Sequence, residues 1–293
     1  MKKALKNREI RWENGSTLYL GESNLKYLSK LLLVLTLLLG ISGCSDTEGA
    51  QRTAKTIKPK TTLKIAAASS LEYAFQEKLI PMYEKAHPTI TVEGTYDSSG
   101  KLQTQIEAGM EADLFFSAAT KQMDALTAED LVDKTTVENI LENKVVLITP
   151  QDNPANLESF TDITKATSIA IGDPESVPAG QYAQAILEKL NLWGSLADRF
   201  SLGTNVTEVL HWVAAGSAEA GLVYETDAKT TDQVTVIDEA PAASLSEPIL
   251  YPAAVVKTSQ HPQATKDFLA FLQSDKAATV FREYGFTPLA SPK

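Results

Sequence analysis

The residues of this chain with chemistry to offer sit where a short apolar run gives way to a helical stripe. The segment Gly172-Asp173-Pro174-Glu175-Ser176-Val177-Pro178-Ala179-Gly180 follows the apolar run Ser168-Ile169-Ala170-Ile171 and precedes Tyr182, Ala183, Ile186, Leu187 and Leu190 at helical spacing. It reads as a strand-to-helix loop ending at a helix N-terminus. Pro178 suits the first helical position, where its missing N–H removes no bond. Ala179 and Gly180 carry no side chain bulky enough to cover their free backbone N–H groups. Those donors, with the positive end of the helix dipole, suit an anion. Read alone, the segment also fits a plain capped helix start.

Other junctions of the same kind occur. Ser69-Ser70 follow the strand Leu63–Ala68, and the Ser70 hydroxyl can cap the next helix or point at a ligand. Tyr96-Asp97-Ser98-Ser99-Gly100 joins an alternating strand to a helix carrying Leu102 and Ile106. Asp97 and Ser98 are credible caps there, which frees Ser99, and the Asp97 carboxylate has to point away from any bound anion. Asn205 is a good N-cap for the stripe Val206, Val209, Leu210 and Val213, so Val206 opens that helix with an orphan N–H. Tyr224 stands at the end of the strand Ala220–Val223, while Tyr251, on a long strand, reads as a tyrosine outside any site.

Such a donor set has a definite chemistry. A fully ionised tetrahedral dianion only accepts, and each hydrogen bond to a charged group contributes roughly 1.5–3 kcal/mol, with no Lys or Arg required. A protonated phosphate would set its own O–H against donors unless a carboxylate such as Asp97 or Asp173 accepted it. Other chemistries lack their motifs: there is no GxxxxGK[ST], GxGxxG or GxSxG, and His87, His211 and His261 lie far apart without metal spacing. No carboxylate pair is flagged as acid and base. The expectation is no catalytic residue, no cofactor and no metal site.

The elements that position these residues alternate strand and helix, which predicts an α/β fold. Strands are expected at 63–68, 89–95, 113–117, 144–149, 168–171, 220–223, 234–237 and 249–256, the last bent or at an edge because of Pro252. Residues 121–143 read as helical in pieces, 201–205 as a loop, and two helices close the chain.

The chain has 293 residues, with Cys44 its one cysteine, so no internal disulfide is expected. A basic flank precedes Leu31–Ser42, an apolar run of twelve residues. About 20 residues are needed to span a bilayer, so the run reads as a secretory signal. Ile41-Ser42-Gly43-Cys44 resembles the lipobox of bacterial lipoproteins, which implies cleavage before Cys44 and a lipid on it. Ser45–Thr61 is polar and aperiodic and reads as a tether. From Cys44 onward 20 Lys/Arg face 34 Asp/Glu, a net of −14, which argues against nucleic acid as a partner.

Taken together, the pieces resemble the periplasmic molybdate-binding protein family. They are Ala66–Leu71, Ser98–Leu102, Gln105–Gly109, Ala112–Ala118, Gly172–Glu175 with Val177–Gly180, Gly221–Tyr224 and Tyr284–Phe286, in the family's order. The resemblance implies a type II periplasmic binding protein fold, two α/β domains joined by two crossover strands with the ligand cleft between them. The expected division is 1–43 signal peptide, 44–61 lipidated N-terminus and tether, 62–147 plus 249–293 the first domain, and 148–248 the second. By position the oxyanion would be held by Ser70, Ser99, Ala179, Val206 and Tyr224, with Ser69 able to share the role of Ser70. The implied protein is a monomeric receptor for molybdate and also tungstate, held on the extracytoplasmic face of the membrane by the lipid on Cys44, that delivers to an ABC permease. The alternatives are a sulfate or phosphate receptor, and an extracellular enzyme on a related scaffold.

Overall fold

The computed structural model describes residues 9–11, 17–19 and 60–289. The chain forms two compact units, Met1–Thr56 and Ile57–Lys293. In the first, strands Glu9–Arg11 and Thr17–Tyr19 pair antiparallel. The apolar run 31–42, Cys44 and most of the tether lie outside the described residues.

In the second unit, β1 (Thr61–Ala68) begins on the last residue assigned to the tether and leads into a helical segment over 69–86, α1. Pro81 cannot donate to the carbonyl four residues before it, and a wider π turn over Phe75–Leu79 directly precedes the α-helical part Ile80–Ala86. β2 (Ile90–Asp97) leads into α2 (Ser99–Glu107), and β3 (Leu114–Phe116) into α3 (Thr120–Ala128). β4 (Glu138–Asn143) is separated by the single residue Lys144 from β5 (Val145–Pro150). β6 (Ile169–Gly172) leads into α4 (Pro178–Lys189), β7 (Phe200–Gly203) into α5 (Val206–Ala214), and β8 (Ala220–Tyr224) into the short α6 (Glu225–Ala228). β9 (Val234–Glu239), β10 (Ile249–Val255), α7 (Pro262–Leu272), α8 (Asp275–Glu283) and β11 (Thr287–Pro288) complete the described chain.

These strands build two mixed sheets, ordered β11-β4-β10-β3-β1-β2 and β9-β5-β8-β6-β7. In the first, β1 pairs parallel with both β2 and β3, and β10 runs antiparallel to β3 and β4. In the second, β6 pairs parallel with β7 and β8, and β5 runs antiparallel to β8 and β9. The chain passes between sheets at Lys144 and again through 240–248. The strand that the sequence reading divided at 147 pairs within the second sheet along its whole length.

Side-chain alternation places the helices of the first sheet on both faces. Leu63, Ile65, Ala67, Leu114 and Phe116 face a core shared with Phe75, Phe268 and Phe281, whereas Ala66 and Phe115 face Leu102, Ile106, Met123 and Leu126. Phe75 is the hub of the first core, its ring centroid 6.0 Å from Phe116, 6.4 Å from Phe268 and 6.2 Å from Phe281. In the second sheet β6 and β8 are buried along their length under α4 and α5.

Two elements differ from expectation, and a third settles an alternative that the sequence left open. Residues 138–143 form a strand where helical pieces were expected, because pairing with β10 and β11 overrides the weak strand preference of Glu138, Asn139, Glu142 and Asn143. Part of the 201–205 loop is β7, an edge strand with an exposed Leu202. Pro252 sits in a central strand, accommodated by a register shift between Tyr251 and Pro252, so β10 is bent and not at an edge.

Candidate functional site

In both sheets the parallel strands end at one cleft, the place where open α/β sheets present their loops. β1 ends at Ala68 and passes into Ser69 and Ser70, β2 at Asp97 before Ser98 and Ser99, and β3 two residues before Ala118. From the other sheet β6 passes into the loop ending at Val177–Ala179, β7 into Val206, and β8 ends on Tyr224 itself. All of these line one small cavity, about 10 Å³ of free space. Ser70, Ser99, Ala179, Val206 and Tyr224 are therefore brought together, with Ser69, Ser98, Val177 and Pro178 beside them.

The local folding of each junction frees its donor. Ser98 is the N-cap of α2 and accepts the Lys101 N–H at 3.4 Å, which leaves Ser99 to the cavity. Ser99 Oγ accepts the Ala118 N–H at 2.9 Å, so the hydroxyl keeps its own proton to donate. Pro178 is the first residue of α4, and the N–H of Ala179 has no carbonyl four residues back within the helix. Asn205 caps α5 by accepting the Glu208 N–H at 2.9 Å, and Val206 follows as the first helical residue. These helix starts border the same cavity, to which they present partial positive charge. Burial pushes the Tyr224 phenol well above its ordinary pKa, so it remains a donor.

Asp97 is the one charged side chain on the cavity wall. Its Oδ1 faces donors: the Ser98 N–H at 2.8 Å, Lys101 Nζ at 3.3 Å and Asn205 Nδ2 at 3.4 Å. Asp173, the other candidate carboxylate, accepts the Glu175 N–H at 3.0 Å and does not line the cavity. No Lys or Arg is among the lining residues.

The cleft is closed. Gly100 donates its N–H to Ser176 O at 3.0 Å, Tyr224 its hydroxyl to Ala118 O at 3.4 Å, and Gln122 Nε2 donates to Gln181 Oε1 at 3.2 Å, each bond joining the two sheets' halves. Asn205 and Asp97 form a fourth such link.

Sequence reasoning missed one tyrosine. Tyr251, expected outside the site, is fully buried and its hydroxyl lies 3.0 Å from Ser70 Oγ and 3.0 Å from Asn143 Nδ2. The sole signal was Pro252, which bends the strand that carries it.

The family model for bacterial extracellular solute-binding proteins matches residues 63–287. The chain is 40% identical over 262 residues to YvgL of Bacillus subtilis strain 168, provisionally named an ABC transporter substrate-binding lipoprotein, covering 89% of this chain and 98% of that one. It is 37% identical over 228 residues to the molybdate-binding protein ModA of Haemophilus influenzae strain Rd, covering 76% of this chain and 89% of that one. Among solved structures it matches the substrate-binding domain of a provisionally assigned molybdenum ABC transporter from Clostridium difficile, at a TM-score of 0.62 and 37% identity, covering 78% of this chain and all of that one.

Proposed function

The chain belongs to the bacterial extracellular solute-binding proteins, in their molybdate-binding family, with the type II binding-protein fold, and from that premise we propose that it captures molybdate, and tungstate with it, in the closed cleft and delivers the anion to an ABC permease. The carrying observation is the convergence of the helix starts at Ser70, Ser99, Ala179 and Val206 and the Tyr224 hydroxyl on one buried cavity without Lys or Arg. In this reading Ser70, Ser99 and Tyr224 donate through hydroxyls, and Ala179 and Val206 through backbone N–H groups. The two sheets with their helices are the lobes that close on the anion, hinged at Lys144 and at 240–248. Cys44, following its apolar run, carries the lipid that holds the protein outside the cytoplasm.

Phosphate is the reading that Asp97 favours, since a carboxylate could accept the proton of such an anion. The donors around Asp97 Oδ1 weigh against that role. Sulfate shares molybdate's proton-free chemistry and differs in size.

Calorimetric titration of ligand-free protein with molybdate, tungstate, sulfate and phosphate tests the proposal. Molybdate and tungstate should bind far more tightly than the other two. Tyr224→Phe keeps the ring and removes one donor, at about 1–3 kcal/mol or roughly tenfold to hundredfold in affinity. Tighter binding of phosphate or sulfate than of molybdate would overturn the assignment.

A further inference from the structure

Ser70, Asn143 and Tyr251 come from distant parts of the chain and form one buried hydrogen-bonded line. Asn143 Oδ1 accepts the Lys144 N–H at 2.9 Å, which fixes the orientation of the amide. Its nitrogen then donates to Tyr251 Oη at 3.0 Å and to Thr226 Oγ1 at 3.0 Å. The hydrogen-bond partners of Tyr251 Oη are this nitrogen and Ser70 Oγ, at 3.0 Å. Distance alone leaves the direction of the Ser70–Tyr251 bond open. The amide bears on it: an amide N–H cannot accept a proton, so of the two groups at 3.0 Å only Ser70 Oγ can take the Tyr251 proton. Ser70, its oxygen occupied from behind, turns its own proton elsewhere, and it lines the cavity.

We propose that Asn143 and Tyr251 are positioning residues that hold the Ser70 hydroxyl as a donor into the cavity, so that the site discriminates against anions carrying their own proton. The inference rests on the oxyanion reading above and extends it to residues that do not touch the ligand. Asn143 and Tyr251 sit on adjacent strands β4 and β10, and Ser70 follows β1 of the same sheet. The line therefore survives opening of the cleft, and the hydroxyl is aimed before the anion arrives, which removes an ordering cost from binding. Burial keeps the Tyr251 phenol protonated, as the line requires.

The test compares inorganic molybdate with inorganic phosphate by calorimetry on wild type, Tyr251→Phe and Asn143→Asp, with thermal unfolding as the check on folding. In Tyr251→Phe the Ser70 hydroxyl rotates freely and can accept as well as donate. Molybdate affinity should fall roughly tenfold and phosphate affinity by less than about threefold, so their ratio narrows. Asn143→Asp reverses the line: a carboxylate takes the Tyr251 proton, Tyr251 accepts from Ser70, and Ser70 offers a lone pair. Its added charge weakens two dianions alike, so well above neutral pH, where phosphate is the singly protonated dianion, the ratio remains the readout and should narrow further. A merely structural role would weaken both anions equally. An unchanged ratio in a folded variant, with wild type binding molybdate, overturns the inference and leaves the receptor reading standing. Wild type that binds neither anion overturns both. Should Tyr251→Phe fail to fold, the ratio in Asn143→Asp decides.

Discussion

Asp227 lies buried just past the end of β8, where its Oδ2 accepts the Tyr224 N–H at 3.2 Å. Desolvation raises its pKa to about 7, against the pull of backbone N–H groups that favour the charged form. In the unfolded chain the same carboxyl gives up its proton near pH 4. Between those values the folded state binds more protons, so this group's contribution to stability falls as pH rises from about 4 to about 7 and levels off above it. The loss is on the order of 4 kcal/mol. Asp227→Asn retains an acceptor for Tyr224 and cannot ionise, so its stability relative to wild type should improve across that window. Urea unfolding of both proteins at pH 4.5 and pH 8 measures this; parallel losses would show that Asp227 is ionised in the fold throughout. At this same scale the sequence was readable where a residue's role is local. Ser98 as a cap, Ser99 freed by it, and Val206 after Asn205 follow from spacing within one turn. The line from Asn143 through Tyr251 to Ser70 does not, because it is made by strand pairing between residues over a hundred positions apart.

Two glycines at helix starts separate closure from folding. A Cβ on Gly100 would lie 2.3 Å from the carbonyl oxygen of Ser176, across the cleft. A Cβ on Gly180 would lie 2.0 Å from the carbonyl oxygen of Gly172, within its own lobe. Gly100→Ala should therefore fold normally, since alanine suits a helix better than glycine by about 0.5–1 kcal/mol, and fail to close. Its affinity for molybdate should drop about tenfold or more, a loss of at least ~1.4 kcal/mol of closure. Gly180→Ala should instead lose about 1–3 kcal/mol of folding stability through overpacking. Thermal unfolding without ligand, set beside calorimetry, tells them apart, and equal effects of the two substitutions on both readouts would refute the division. Element by element, the sequence was legible where an apolar stripe had a clear period, as in α4 and α5. It was not where a sheet supplied the reason: β4 is two-thirds polar, and its strand state comes from the neighbours on both sides.

At the scale of the whole molecule, charge and site oppose each other. The residues from Cys44 onward carry a net −14, while the cavity offers only local dipoles and hydroxyls to an anion. The dipole attraction of a helix start fades within its first turn. The repulsion of many carboxylates reaches further, to about 30 Å at 0.01 M salt and about 8 Å at 0.15 M. An approaching dianion thus meets the unfavourable field first and the favourable one only at the mouth of the cleft. Added salt should shorten the reach of the repulsion and leave the buried donors untouched. The association rate of molybdate should accordingly rise severalfold, on the order of 3 to 10, between 10 mM and 150 mM sodium chloride. The dissociation rate should barely move, because release waits on breaking cross-cleft bonds such as Gly100 to Ser176 and Gln122 to Gln181. Stopped-flow fluorescence over a salt series gives both rates. An association rate that falls with salt would mean that a positive surface steers the anion in, and would move the origin of affinity from the helix starts to Lys and Arg side chains.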